Sequence, residues 1–112
     1  MGGIMSFDIY QEKTGETAIY PPEKALEYLT LGLCSEAGEV AGKLKKIIRD
    51  NNGIIDEDTA QKLSLEIGDV LWYVAQLATT LGLQLSEVAE DNLSKLASRK
   101  NKGTITGSGD YR

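Results

Sequence analysis

The chain has 112 residues, 41% of them apolar and 26% charged, with a formal net charge of −5 and no histidine. That length builds at most a single domain over 1–112 around one core, and no apolar run approaches the roughly 18 residues of a membrane span. The acidic balance argues against a nucleic-acid polymer as partner, and the missing histidines remove the usual general base and every imidazole metal ligand.

The opening "MGGIMSFDIYQEK" has neither the basic start nor the apolar core of an export signal, and residues 1–5 read as an added or disordered segment. The single Cys34 forms no internal disulfide, so a reducing cytoplasm is the expected location. A short helix is expected within "MSFDIYQEKTGE". The Pro21-Pro22 pair is tolerated in a helix's first turn and forbids helix before it, which predicts a long helix over about 22–50. Leu26, Leu29, Leu33, Val40, Leu44 and Ile47 recur there at helical spacing until "RDNNG" supplies a cap. "DEDTAQK" then opens a second helix with acidic residues suited to its positive end. "LSLEIGDVLWYVAQLATTLG" continues it with apolar residues nearly all round, so it is expected to be buried on most sides and to stop at Gly82. A further helix follows, with Ser86 as the expected N-cap, and runs to Gly103 before a Gly-rich polar tail, 103–112, expected to be flexible. The fold class is all-α, with three or four helices whose core is completed by oligomerisation, because so short a chain with one fully apolar helix leaves surface uncovered.

Two acidic pairs stand out. In "SEAGEV", Glu36 and Glu39 lie about 60° apart on one helix face, beside the apolar stripe. "LEIGDV" repeats the design one helix later with Glu66 and Asp69, and Tyr73, Gln76 and Thr80 follow on the same side. Gly38 and Gly68 sit inside these pairs at a cost of about 1 kcal/mol each in helix propensity, which suggests close helix approach there. Four carboxylates converging beside a core would repel one another unless a cation neutralised them. An oxygen-only ligand set selects a hard ion, Mg²⁺ or Mn²⁺, and such ions commonly meet substrate phosphates. The competing reading is a solvated face, with Glu39 paired to Lys43 one turn on.

The stretches "LGLCSEAGEV" and "LSLEIGDVLWYVAQLA" resemble the signature of the MazG-like nucleotide pyrophosphohydrolases, an E-x-x-E pair followed one helix later by E-x-x-D. The likeness extends to "YPPEKALEYLTLGL", "DNLSKLASRK" and "GTITGSGDYR". It implies a four-helix-bundle fold assembled as a homo-oligomer, dimer or tetramer. It also implies Mg²⁺-dependent hydrolysis of a nucleoside triphosphate to the monophosphate and diphosphate, with Glu36, Glu39, Glu66 and Asp69 as metal ligands and Glu36 or Glu39 as base for the attacking water. Several branches carry a further acidic residue where this chain has Ser35, which implies either one ligand fewer at that position or that Glu36 does the work alone.

A leaving diphosphate needs cations, and Lys43, Lys46, Lys95 and Arg99 are the candidates, with Asn92 on the Lys95 face. Each is equally well read as surface charge. Tyr73, one turn after Asp69, is the candidate for sugar or base, with core packing as the alternative, and Trp72 is expected in the core or at a subunit interface. Tyr111 or Arg112 of the tail is a candidate to close over bound triphosphate. The alternative functional class is a non-catalytic helical module that binds a nucleotide or a protein, and a third possibility is a purely structural bundle. No residue pattern specifies one base.

Overall fold

The computed structural model describes residues 3–109, so the expectations for Tyr111, Arg112 and the first two residues fall outside the described residues. Four helices account for the described chain: α1 (Phe7–Thr14), α2 (Ala25–Asp50), α3 (Glu57–Thr80) and α4 (Leu85–Lys102). Each begins or ends for a local reason. The Ser6 hydroxyl accepts the Ile9 N–H at 3.1 Å and starts α1, which tightens into a 3₁₀ turn at Gly15–Thr17. After Pro21, a second 3₁₀ turn over Pro22–Lys24 leads into α2, whose 26 residues span about 39 Å.

The α2–α3 connection is short and strongly specified. Asn51 and Gly53 both return their N–H groups to Ile47 O, at 2.8 and 3.1 Å, and Asn52 and Gly53 adopt left-handed backbone with φ of 55° and 73°. Asp56 and Thr59 then form a reciprocal capping box, with Thr59 N–H to Asp56 Oδ1 at 2.9 Å and Asp56 N–H to Thr59 Oγ1 at 2.8 Å. The two long helices therefore run antiparallel, in a register that sets Gly32 beside Tyr73 and Lys43 beside Glu66.

Ser86 does not cap α4. It lies inside the first turn, and its N–H and hydroxyl donate to Asp8 Oδ1 and Oδ2 at 3.1 and 2.8 Å, while Leu85 N–H donates to Gln11 Oε1 at 2.8 Å. The cap is supplied across the fold by α1, a partner that local sequence spacing cannot reveal. Gln11 Nε2 also donates to Leu83 O and Thr79 Oγ1, so α1 ties the end of α3 to the start of α4. At the far end of α4, Gly103 at φ 72° and the Thr104 N–H to Arg99 O bond of 2.8 Å form a Schellman-type stop. The Arg99 Nη2 donates to Gly109 O at 3.1 Å, so the described part of the tail folds back on its helix.

Leu29, Ile47, Ala75, Ala78 and Leu85 are the buried apolar residues. Two expectations are corrected here. The first half of α3 is not buried on most sides: Leu65 and Ile67 are 63% and 56% exposed although Thr59 is buried, and the hydrogen bonds from α1 and its 3₁₀ turn reach Trp72, Gln76 and Thr79 in the second half instead. Nor do Gly38 and Gly68 meet a neighbouring helix of this chain: among the described residues nothing outside their own helix lies within 4 Å of a Cβ placed there, and the close approach within the chain occurs at Gly32 instead. The radius of gyration of 16.9 Å exceeds the roughly 13 Å of a compact chain this long. Likewise, the accessible surface of 8254 Å² exceeds the roughly 6,100 Å² expected for its mass. No helix among the described residues is long and apolar enough to cross a membrane.

If Asp8 caps α4 in this way, Asp8→Ala should cost about 1 kcal/mol of stability, as loss of an ordinary N-cap does. Denaturant melts measure the total, and hydrogen exchange should show protection lost first at Leu85–Val88.

Candidate metal centre

Glu36 on α2 and Glu66 and Asp69 on α3 each present a carboxylate oxygen, and the three oxygens lie within 4.8 Å of one another. Glu36 and Glu66 are half-buried and Asp69 is exposed. Glu39, one turn beyond Glu36, lies outside this group on the exposed side of α2, although its charge is still felt at Glu36. Lys43 does not pair with Glu39. Its Nζ stands 3.9 Å from Glu66 Oε1, across the helix pair, so a single lysine offsets part of a triple negative charge.

The electrostatic consequence falls on Glu36. Burial first, and then the charges of Asp69, Glu66 and Glu39, push its pKa above the usual carboxylate value. Asp69 likewise adds to the burial that raises the Tyr10 hydroxyl. The donor set is carboxylate oxygen alone, with no imidazole in the chain and Cys34 exposed. Such a set fits a hard divalent cation, which would relieve the repulsion that raises Glu36.

Beside the carboxylates opens a pocket of about 340 Å³, lined by Thr17, Ile19, Tyr20, Tyr28, Glu36, Asp69, Trp72 and Tyr73. Four of its walls are aromatic. Tyr20 stacks on Tyr28 with centroids 5.3 Å apart, and Trp72 meets Tyr73 edge-on at 5.0 Å. These rings are held from behind. Trp72 Nε1 donates to Thr17 Oγ1 at 2.8 Å, and the Tyr20 hydroxyl donates to Gln76 Oε1 at 2.6 Å. The Gln76 side chain is buried and donates in turn to Thr14 Oγ1 at 2.7 Å, linking α3 to α1. Burial, then the neighbouring Tyr28 hydroxyl, raise the Tyr73 pKa, with Glu36 and Asp69 adding to the effect.

The candidate residues separate into three places. Glu36, Asp69 and Tyr73 share the pocket, with Glu66 and Lys43 adjoining through the carboxylate group and its ion pair. Lys46 lines a different hollow of about 380 Å³ at the α2–α3 turn, together with Lys43, Asp58 and Lys62. Asn92 and Lys95 are exposed on α4, Arg99 is buried there, and none of the three lines the aromatic pocket, because α4 packs on α1 and α3. Trp72 forms a wall of the pocket. Tyr20, Tyr28 and Thr17 were not legible as site residues. For Tyr28 alone there was a signal, the stripe Tyr28, Gly32, Glu36 at four-residue spacing, which puts an aromatic ring and a notch on the Glu36 face.

Because the folded chain holds the Glu36 proton more tightly than the unfolded chain does, its charged form costs stability above the ordinary Glu range. That cost fades as pH falls through the raised pKa. Glu36→Gln should therefore raise the melting temperature of the metal-free protein at about pH 7, by an amount that shrinks toward zero as pH is lowered to about 4. In excess Mg²⁺ the order should reverse. Thermal melts in EDTA and in Mg²⁺ across that range check both signs.

No solved structure matches the chain significantly. A curated relative, "Gene 37 protein" of Mycobacterium phage L5, is 51% identical over 114 aligned positions that cover 96% of this chain and 100% of the relative. Its name states no activity. The family described as "MazG nucleotide pyrophosphohydrolase domain" matches residues 24–104, the stretch that holds α2, α3 and α4 and with them every carboxylate of the site. With paired acidic residues on two antiparallel helices of an all-α fold, the chain belongs to the MazG nucleotide pyrophosphohydrolase family.

Proposed function

We propose that this protein is a Mg²⁺-dependent pyrophosphohydrolase that converts a nucleoside triphosphate, canonical or modified, into the monophosphate and diphosphate. The observation that carries this reading is the convergence of Glu36, Glu66 and Asp69 within 4.8 Å at the mouth of an aromatic pocket. When bound, Mg²⁺ (or Mn²⁺) supplies charge to polarise phosphate oxygens and acidify a water. Glu36, Glu66 and Asp69 would hold it, with Glu39 as a further candidate ligand. Glu39, exposed one turn along α2, or Glu36 would accept the proton of the attacking water. Tyr73 lies at the nucleoside end, while Lys43 stands on the far side of the carboxylates, near Glu66 and toward the hollow that Lys46 lines. The triphosphate therefore runs along the α2–α3 groove, with its β- and γ-phosphates toward the two lysines.

The exposed Leu65, Ile67 and Leu93, and an accessible surface about 2,000 Å² above expectation, support a homo-oligomer, dimer or tetramer. Asn92 and Lys95 would join a site only across such an interface. The free Cys34 is compatible with a reducing cytoplasm.

A diphosphate-release assay over dNTPs, NTPs and modified nucleotides, with product identification, tests the reaction. Turnover should vanish in EDTA and return with Mg²⁺. Glu36→Gln and Asp69→Asn should lower kcat/KM by about a hundredfold or more, and Lys43→Ala should raise KM about tenfold. Binding of a non-hydrolysable dNTP without any turnover would instead identify a nucleotide-binding module. Light scattering tests the assembly: Leu65→Glu with Ile67→Glu should convert an oligomer into monomers.

A further inference from the structure

We infer that Gly32 is a positioning residue of the nucleotide pocket, the notch on α2 that lets the Tyr73 ring stand against the helix and keeps the space before Glu36 and Asp69 open. The inference rests on the nucleotide reading above and adds to it a residue outside the acidic signature. Gly32 lies one turn before Glu36, on the same face of α2. A Cβ placed on it would run into the Tyr73 ring, with Cδ1 at 2.7 Å and Cε1 and Cζ closer still. No ordinary side chain tolerates that approach. The ring would have to move.

The directions in which it can move are few. Trp72 meets it edge-on with ring centroids 5.0 Å apart, and the Tyr28 ring lies tilted beside it at 6.4 Å. The ring already lines the 340 Å³ pocket that Glu36 and Asp69 bound, and that pocket lies open beside it. A ring driven from the notch therefore enters the space meant for the nucleoside. The carboxylates, carried on the backbones of α2 and α3, keep their places. Gly38, Gly42 and Gly68 on the same two helices have nothing within 4 Å of an added Cβ, so the demand for glycine is specific to the Tyr73 contact. Mid-helix glycine is otherwise disfavoured relative to alanine.

That contrast yields a test with an internal sign change. In the otherwise unaltered protein, Gly32→Ala should lower the melting temperature and raise KM for a dNTP about tenfold or more. It should leave kcat and the affinity for Mn²⁺, titrated alone, within about twofold. In a Tyr73→Ala background the same Gly32→Ala change should raise the melting temperature, since only helix propensity remains, and should leave KM at the Tyr73→Ala value. Should Gly32→Ala alone fail to fold, Gly32→Ala/Tyr73→Ala is expected to fold, and an equally unfolded double variant overturns the inference. A KM unchanged by Gly32→Ala, or raised as much with Tyr73 absent as with it present, also overturns it. A wild-type protein that neither binds nor hydrolyses any nucleoside triphosphate overturns the parent reading and this one with it. The sign change in melting temperature would then survive as a packing effect alone.

Discussion

The antiparallel register of α2 and α3 has to hold three carboxylates within 4.8 Å while placing one lysine near them. Like charges at that spacing oppose the pairing, and at Glu36 burial and then the neighbouring carboxylates both disfavour the charged form. The register therefore needs support away from the site. It comes from the buried Ile47 near the turn, from the Asp56–Thr59 capping box beside it, and at the other end from Leu29 and the Tyr73 ring seated at Gly32. Slipping one helix by a turn would break the carboxylate group and expel the ring together, so charge placement and packing select the same alignment.

The short helix α1 does more than extend the fold. Its Asp8 and Gln11 satisfy N–H groups at the start of α4, and its Thr14 receives the buried Gln76 amide that holds Tyr20 against the pocket. The chain from the start of α4 to the aromatic wall is thus continuous through hydrogen bonds of α1. Buried or half-buried amide and hydroxyl groups in such a chain are costly to leave unmade, so the wall is held more rigidly than its exposure alone implies.

Openness is the other property that follows. Surface well above that of a compact chain, with isoleucine and leucine exposed on either side of Glu66, means that burial within one protomer does not use the apolar residues the sequence provides. The same residues stand immediately before and after Glu66 on α3, so the apolar surface of this helix adjoins the carboxylate group.

Local physics made the four helices legible, because proline, glycine, acidic first turns and a 3.6-residue period act within a few residues of one another. The pairs Glu36/Glu39 and Glu66/Asp69 were legible for the same reason, each being a single helical face. Tertiary structure decided which of those carboxylates meet, since convergence depends on register: Glu36 joins Glu66 and Asp69, Glu39 stays outside, and Lys43 turns to the opposite helix instead of its neighbour one turn back. It also decided that Asp8 rather than Ser86 caps α4, and that Gly32 rather than Gly38 or Gly68 is the close approach. Each of these joins residues on different helices, from Lys43 and Glu66 to Asp8 and Ser86, and spacing along one helix carries no information about such distant partners.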